Sequence, residues 1–271
     1  MMLIRPSFME ASNMNDKYSY NKDKIDKRDL QFSKSVSPHP EIILPKLVDL
    51  RSKCPDVYNQ GKLGSCTANA GCTCKAMLLQ DEQIHLSRMF LYYTERAFEG
   101  KASKDVGASL RDTCKSIYKV GVCEETYMPY NPEKYRLLPS RLAILNAKKY
   151  KITAYKSLSS LDEIMQNIAF RQQPVLLGMD VYESFESDVV AKTGVMQMPQ
   201  KNEKILGGHA VLVVGYKDIV KHQGKSGKYQ LQPGYLIVRN SWGDKWGDKG
   251  YFYMPFDYVR PDYTFDYWIM E

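Results

Sequence analysis

The chain has 271 residues, 44% of them apolar and 25% charged, which gives it the length and composition of a folded protein and excludes wholesale disorder. No run of about 18 or more apolar residues is present to cross a bilayer as a helix, and the opening Met1-Met2-Leu3-Ile4-Arg5-Pro6-Ser7 lacks the apolar stretch of a cleaved secretory signal, so an intracellular location is expected. The net charge of +7, from 38 basic and 31 acidic residues, is spread along the chain without a dense basic run or an aromatic-interleaved basic stripe, so neither nucleic acid nor a membrane is expected as a partner. Six cysteines in this length do not make a disulfide scaffold. Cys72 and Cys74, one residue apart, suit neither a zinc knuckle nor a redox pair, so no metal or cofactor is expected.

Residues 1–42 form a distinct segment, rich in Asn, Lys, Asp and Ser, without a sustained apolar period and closed by Pro38 and Pro40. Such a leader cannot build a core by itself, and composition leaves a disordered tail and an inhibitory segment equally open. After Pro45 the texture becomes globular. Val48-Asp49-Leu50-Arg51 alternates as a short strand, and Gln60-Gly61-Lys62-Leu63-Gly64 reads as a glycine-punctuated loop. A helix is predicted over 66–79, with small residues in its first turns that call for burial against close neighbours. Ser87 and Ser109 are N-cap candidates for helices running to Arg96 and to Lys119, the latter ended by Gly121.

Beyond about residue 150 the signals turn to strands, at 174–179, 210–216, 235–239 and 251–254, interrupted only by a helical period over 161–170. The stretch 221–232 reads as a long hairpin loop. The chain is therefore expected to be α+β, with a mainly helical part over 43–150, a mainly β part over 151–271, and a cleft where the two meet.

Cys66 follows Gly64-Ser65 and opens a helix, where backbone N–H groups and the helix dipole favour a thiolate. Gln60, six residues upstream across the glycine loop, is spaced to fold its amide back beside the sulfur as an oxyanion donor together with the Cys66 N–H. His209 follows Gly207-Gly208 and leads into an apolar strand; Gly208 lets another backbone approach while the imidazole stands at a strand mouth. Asn240 ends a strand and enters Ser241-Trp242-Gly243, so its amide oxygen is expected to accept the imidazole Nδ1–H, with Trp242 shielding that bond. Singly, each residue has an ordinary structural explanation: a buried cysteine, a packed histidine, a turn asparagine.

Together, Gln-x5-Cys in a helix-opening loop, Gly-Gly-His-Ala before an apolar strand, and Asn-Ser-Trp-Gly-x2-Trp-Gly-x2-Gly-Tyr resemble the papain family of cysteine peptidases, in that family's chain order and over roughly residues 46–254. The resemblance implies a two-domain fold, a helical left domain and an antiparallel β-barrel right domain with the cleft between. It implies Cys66 as nucleophile, His209 as general base and acid, Asn240 as its orienter and Gln60 as oxyanion donor, with Trp242 on the leaving-group side and Gly107 and Ala108 on the wall of the pocket that takes the residue before the scissile one. A protein or peptide substrate, a monomer and hydrolysis through an acyl-enzyme follow from it. Passing the acyl group to an amine, as a transpeptidase or ligase does, and a non-catalytic binding homologue are the rival readings.

Departures from the family pattern are informative. Leu63 and Asp105 stand where the family places the two ends of a disulfide, which points away from the secreted members. The strings Leu47-Val48-Asp49-Leu50-Arg51, Gly64-Ser65-Cys66-Thr67-Ala68 and Ser87-Arg88-Met89-Phe90 look most like the bacterial xylellain-like branch, which also occurs in large DNA viruses. Cys54, Cys72, Cys74 and Cys114 are expected as reduced core thiols, with Cys123 open to pairing with Cys54 or Cys114. His39, His85 and His222 are expected at the surface. The chain's own N-terminal segment is expected as its inhibitor, an extended strap over the cleft anchored by Ile42-Ile43-Leu44. The floor of the specificity pocket falls somewhere in 256–271, without an assigned residue.

Overall fold

In the computed structural model of the chain, which describes residues 18–35, 43–81, 83–218, 220–223 and 229–271, the small-residue run at Cys66 is a helix enclosed on nearly all sides. This helix, α1 (Cys66–Leu79), is buried from Cys66 through Met77. Its small residues permit close crossings: a Cβ on Gly71 would lie 2.4 Å from Thr113 Cγ2 and 3.1 Å from Leu91 Cδ2. Those neighbours belong to α3 (Leu110–Lys119) and α2 (Arg88–Phe98). Both begin at the expected serines, with Ser87 Oγ accepting from Phe90 N–H (3.1 Å) and Ser109 Oγ from Asp112 N–H (3.2 Å). A fourth helix, α4 (Arg141–Ala147), is capped by Ser140 in the same way and was not anticipated.

The opposite face of α1 packs on a seven-stranded antiparallel sheet. Its strands are β1 (Leu47–Asp49), β2 (Tyr155–Leu158), β3 (Val175–Tyr182), β4 (Ile205–Lys217), β7 (Tyr235–Arg239), β8 (Tyr251–Pro255) and β9 (Thr264–Met270), while β5 (Val220–Gln223) and β6 (Tyr229–Gln232) pair separately as a hairpin. The order is β2-β9-β3-β4-β7-β8, with β1 on the far end of β4. Val175–Met179 is buried throughout, which explains the unbroken apolar run of β3. The register sets Met179 opposite His209.

Several expectations are corrected. The first strand stops at Asp49, and Arg51–Lys53 turns into a 3-10 helix. The β part is interrupted twice by helices: α5 (Leu161–Gln166), continued by a π turn over Asn167–Arg171, and α6 (Asp188–Thr193). Strands β2 and β9 were missed: β2 is four residues with Lys156 and Ser157 at its centre, and β9 bulges at Asp266, which has φ +55°.

The N-terminal segment contributes to the core. Tyr18, Tyr20 and Phe32 are buried. Phe32 N–H donates to Ser157 O (2.9 Å), Ser157 N–H to Leu30 O (2.8 Å), and Trp268 Nε1–H to Asp23 Oδ2 (2.8 Å). Arg111 grips Asp29 through two nitrogens, at 3.0 and 2.6 Å. The expected anchor is therefore wrong: Ile43 is 90% exposed, Leu44 only half-buried, and Ile42 lies outside the described residues. Three aromatics spaced through a polar stretch make no hydrophobic period, so the anchor escapes any windowed reading.

Candidate active site

Loop 59–64 is pinned to the turn after β7. Gln60 N–H donates to Ser241 O (2.8 Å), and Asn59 bridges Trp242. The Gln60 side chain is fully buried, its Oε1 accepting from Ser241 Oγ (2.6 Å) and its Nε2 donating to Leu63 O (3.0 Å). Tyr130 braces the same loop, donating to Gln60 O (2.8 Å) and meeting Ser65 Oγ at 2.7 Å. These bonds set the Gln60 amide beside the first turn of α1.

Cys66 is the first residue of α1 and has no exposed surface. The Ala210 backbone lies near enough to favour the charged form of its sulfur, so the thiol lies beside β4 one residue past His209. Burial pushes the Cys66 thiol up to about 12, a correction to the expectation that its helix-opening position alone would favour the thiolate. Desolvation disfavours the charged form by more than the local N–H groups favour it.

His209 Nε2 is 2.8 Å from Asn240 Oδ1, and that oxygen also accepts Ser241 N–H at 2.8 Å. The expected partner nitrogen, Nδ1, is corrected to Nε2. Because an amide oxygen only accepts, Nε2 carries the proton in the neutral ring. Trp242 stacks on the imidazole, centroids 5.2 Å apart and planes at 29°, and is itself packed edge-on by Phe185 and Trp246. The pair is thus enclosed in an aromatic shell that keeps water from the His209–Asn240 bond.

The three backbone positions expected to receive substrate carry the chain's own segment. Asn21 N–H donates to Ala108 O (3.0 Å), its side-chain amide to Val106 O (3.0 Å), and Tyr20 N–H to Gly208 O (3.3 Å). Gly107 has φ +68°, and a Cβ there would fall 1.7 Å from Ser19 O, so only glycine admits this contact. Tyr18 stands edge-on to His209 (6.2 Å) and to Trp242 (5.9 Å), and its hydroxyl donates to Glu186. Residues 18–21 therefore run across the cleft from Trp242 towards Ala108.

Where a disulfide was found wanting, hydrogen bonds stand instead. The Asp105 carboxylate accepts Gly64 N–H at 3.2 Å and the Tyr92 hydroxyl, and that hydroxyl accepts Gly107 N–H at 3.2 Å. All six cysteines are free thiols, Cys123 included. His85 is exposed as expected, while His39 and the His222 side chain lie outside the described residues. Sequence reasoning missed Tyr130, Ser241 as the partner of Gln60, and Glu95. The Glu95 carboxyl is fully buried, receives the Thr67 and Thr113 hydroxyls at 2.8 and 2.7 Å, and is pushed by burial up to about 8. Ser241 was visible inside the Asn-Ser-Trp-Gly motif; the other two had no local signal. Among the described residues no three His, Cys, Asp or Glu side chains gather as a metal-binding set, and no helix is long and apolar enough to cross a membrane.

Comparison with known proteins gives the family and the fold. A sequence profile described as papain family cysteine protease matches residues 44–259. The chain is 35% identical to an uncharacterized peptidase C1-like protein of Acanthamoeba polyphaga mimivirus, across 97% of this chain and 89% of that one. It is 29% identical to mouse procathepsin L, spanning 77% of this chain and 59% of that relative. Among solved structures it is similar to xylellain, a cysteine protease from Xylella fastidiosa, with a TM-score of 0.79, 31% identity, and coverage of 100% and 99% of the two chains. Procathepsin L 3 of the Tenebrio molitor larval midgut shares the fold, with a TM-score of 0.65, 20% identity, and coverage of 94% and 77%.

Proposed function

The chain belongs to the papain family of cysteine proteases, and from that premise we propose that it hydrolyses peptide bonds through Cys66, His209 and Asn240 and is held inactive by its own residues 18–21. The observation that carries the reading is the His209–Asn240 bond at 2.8 Å beneath Trp242, one residue from the Ala210 backbone that favours the charged form of the Cys66 sulfur.

In this mechanism the His209 Nδ1 takes the thiol proton, since Nε2 is committed to Asn240. The Cys66 sulfur attacks the substrate carbonyl carbon. The first N–H of α1, which has no carbonyl partner within the helix, and the Gln60 amide then hold the oxyanion. His209 returns its proton to the leaving amine, which departs and leaves the acyl-enzyme. A water, deprotonated by His209, attacks the thioester and frees the acid and the thiol. On this reading the helical part to about residue 150 supplies the nucleophile and the β part supplies the acid–base pair.

The strap reading rests on direction as well as position. A substrate must run from the Gly107–Ala108 side to the Trp242 side, whereas residues 18–21 run the opposite way, so no strap carbonyl is offered to Cys66 in a productive sense. A tethered strap inhibits by local concentration, and its intrinsic affinity need only be modest. Deleting residues 1–21 clears the cleft and keeps the Asp29 to Phe32 anchor; initial cleavage rates should rise, and a full chain that starts as fast as the truncated one would end the strap reading. Mass analysis of products in the presence of an added amine separates hydrolysis, which yields free acids, from acyl transfer, which yields the amide. Absence of any product from the cleared, reduced protein would favour a non-catalytic homologue.

A further inference from the structure

Residues 134–161 hold seven lysines and arginines and no acidic residue. That surplus equals the net charge of the whole chain, so the positive charge is concentrated in one stretch rather than spread along the sequence, a correction to the expectation from composition. Helix α4 lies inside it. Six of the seven cations, Lys134, Arg136, Arg141, Lys148, Lys149 and Lys151, are exposed. The seventh, Lys156, is held by Glu271 at 2.8 Å, whereas none of the six forms an ion pair among the described residues.

The same stretch exposes an apolar face. Leu137, Leu138, Leu142, Ile144 and Leu145 are between 41% and 69% exposed. In α4, Ala143, Asn146 and Ala147 turn inwards, which leaves the outer side to Leu142, Leu145, Ile144 and Arg141. A helix of seven residues does not persist alone in water, and this one is fastened from both ends. Ser140 Oγ accepts from Ala143 N–H (3.1 Å), while Asn146 donates to Glu124 Oε1 (2.8 Å) and accepts the Glu124 N–H (2.9 Å). Tyr150 donates to the same carboxylate at 2.8 Å. The aliphatic side chains are thus presented to solvent by a fixed backbone, with Lys134 and Arg136 before them and Lys148, Lys149 and Lys151 after.

We propose that this face docks on an anionic lipid surface, the aliphatic side chains entering the acyl boundary while the six cations meet the headgroups. Charge complementarity singles out that partner. Lysine and arginine stems lie along apolar surface while their charges reach phosphates and carboxylates, and branched aliphatic chains gain by leaving water for lipid tails. Tyr127, in the turn that packs on α4, is 43% exposed and adds the amphipathic ring suited to such a boundary. A second copy fits poorly, because pairing through the same face would bring the cations of both copies together. A nucleic acid would meet the cations and leave the leucines without an apolar partner. The expectation that no membrane is a partner rested on charge averaged over the chain. Docking of this kind is independent of the peptidase reading and would hold the cleft at a membrane whatever chemistry it performs.

Co-sedimentation of the full chain with vesicles tests this, using phosphatidylcholine alone or with about one-third phosphatidylserine, at about 0.1 M salt. The mixed vesicles should be bound at least about tenfold more tightly than the neutral ones, and about 1 M salt should loosen that binding. Lys148→Gln, Lys149→Gln and Lys151→Gln together should weaken it by on the order of a hundredfold, about fivefold per cation. Leu142→Ser with Leu145→Ser should weaken it about tenfold. All five positions are exposed, so both variants should keep the Tm of the unsubstituted chain. Equal affinity for the two kinds of vesicle, or binding that survives either set of substitutions, would overturn the proposal. A chain that ignores the vesicles would overturn it as well; binding to polyglutamate, or self-association, lost in the same variants would then assign the face to an acidic protein or to a second copy.

Discussion

Asp23 should make the strap's grip depend on pH, in a sense opposite to activation by acid. Its side chain is 3% exposed. It accepts from Trp268 Nε1–H and from Arg111 N–H, has the Arg111 guanidinium at 3.7 Å and Ser109 beside it, and faces the Asp266 carboxylate. Burial and the Asp266 charge raise the Asp23 carboxyl from 3.8 to about 6. A strap lifted into water returns it to the lower value. The docked state therefore holds the proton more tightly, so docking is strongest below pH 4, weakens as pH rises to about 6, and is flat above that. Two pKa units correspond to on the order of 3 kcal/mol, or about a hundredfold in the docking equilibrium. Residues 18–23 lift together because Tyr20 and Asp23 share Asp266. Amide hydrogen exchange at Tyr20 and Asn21, corrected for intrinsic rates, reads the equilibrium directly. Protection should fall by about that factor between pH 4 and pH 7, and Asp23→Asn should flatten the curve. Protection that is constant in the unsubstituted chain, or that rises towards neutrality, would refute the reasoning.

Three further outcomes are expected. Asn240→Ala should lower turnover about 100-fold through a misheld imidazole, and His209→Ala about 10,000-fold through loss of the acid–base group; steady-state rates on one peptide compare them. Asp105→Ala leaves Gly64 N–H and the Tyr92 hydroxyl without their acceptor, costs about 1–3 kcal/mol, and should lower the Tm by several degrees in calorimetry, with Asp105→Asn recovering part of the loss. Glu95 has a folded-state value of about 8 against an ordinary 4.5, so its burial is tolerated below pH 4.5 and costs increasingly up to pH 8; Glu95→Gln should remove that decline in denaturant titrations at pH 5 and pH 8.

Local chemistry was legible where one residue type answers one need. Ser87 and Ser109 announced the starts of α2 and α3 because an N-cap is satisfied within three residues, and the apolar runs of β3, β4, β7 and β8 announced burial. The resemblance to a family located Cys66, His209, Asn240 and Gln60 together, where each residue singly was ambiguous. What escaped depends on partners far away in the chain. Strand β9 bulges at a left-handed Asp266 whose carboxylate accepts from Tyr20, 246 residues earlier. The ring nitrogen that faces Asn240 is decided by how β4 and β7 meet, which no spacing encodes. The Cys66 thiol is raised by burial, a property of the assembled cleft rather than of a helix start. Asp105 read as a lost cysteine, and only the fold reveals that its carboxylate holds the same two loops together.

The central claim, that Cys66 is the nucleophile of a peptidase site, is tested most directly by covalent capture. The chain with residues 1–21 deleted, fully reduced, is treated with an epoxide peptide inhibitor and mapped by mass spectrometry. One adduct per chain on Cys66, formed far faster than on Cys54, Cys72, Cys74, Cys114 or Cys123 and absent in Cys66→Ala, is the predicted result. A folded, cleared chain that leaves Cys66 unlabelled, or labels it no faster than the other thiols, would contradict the account.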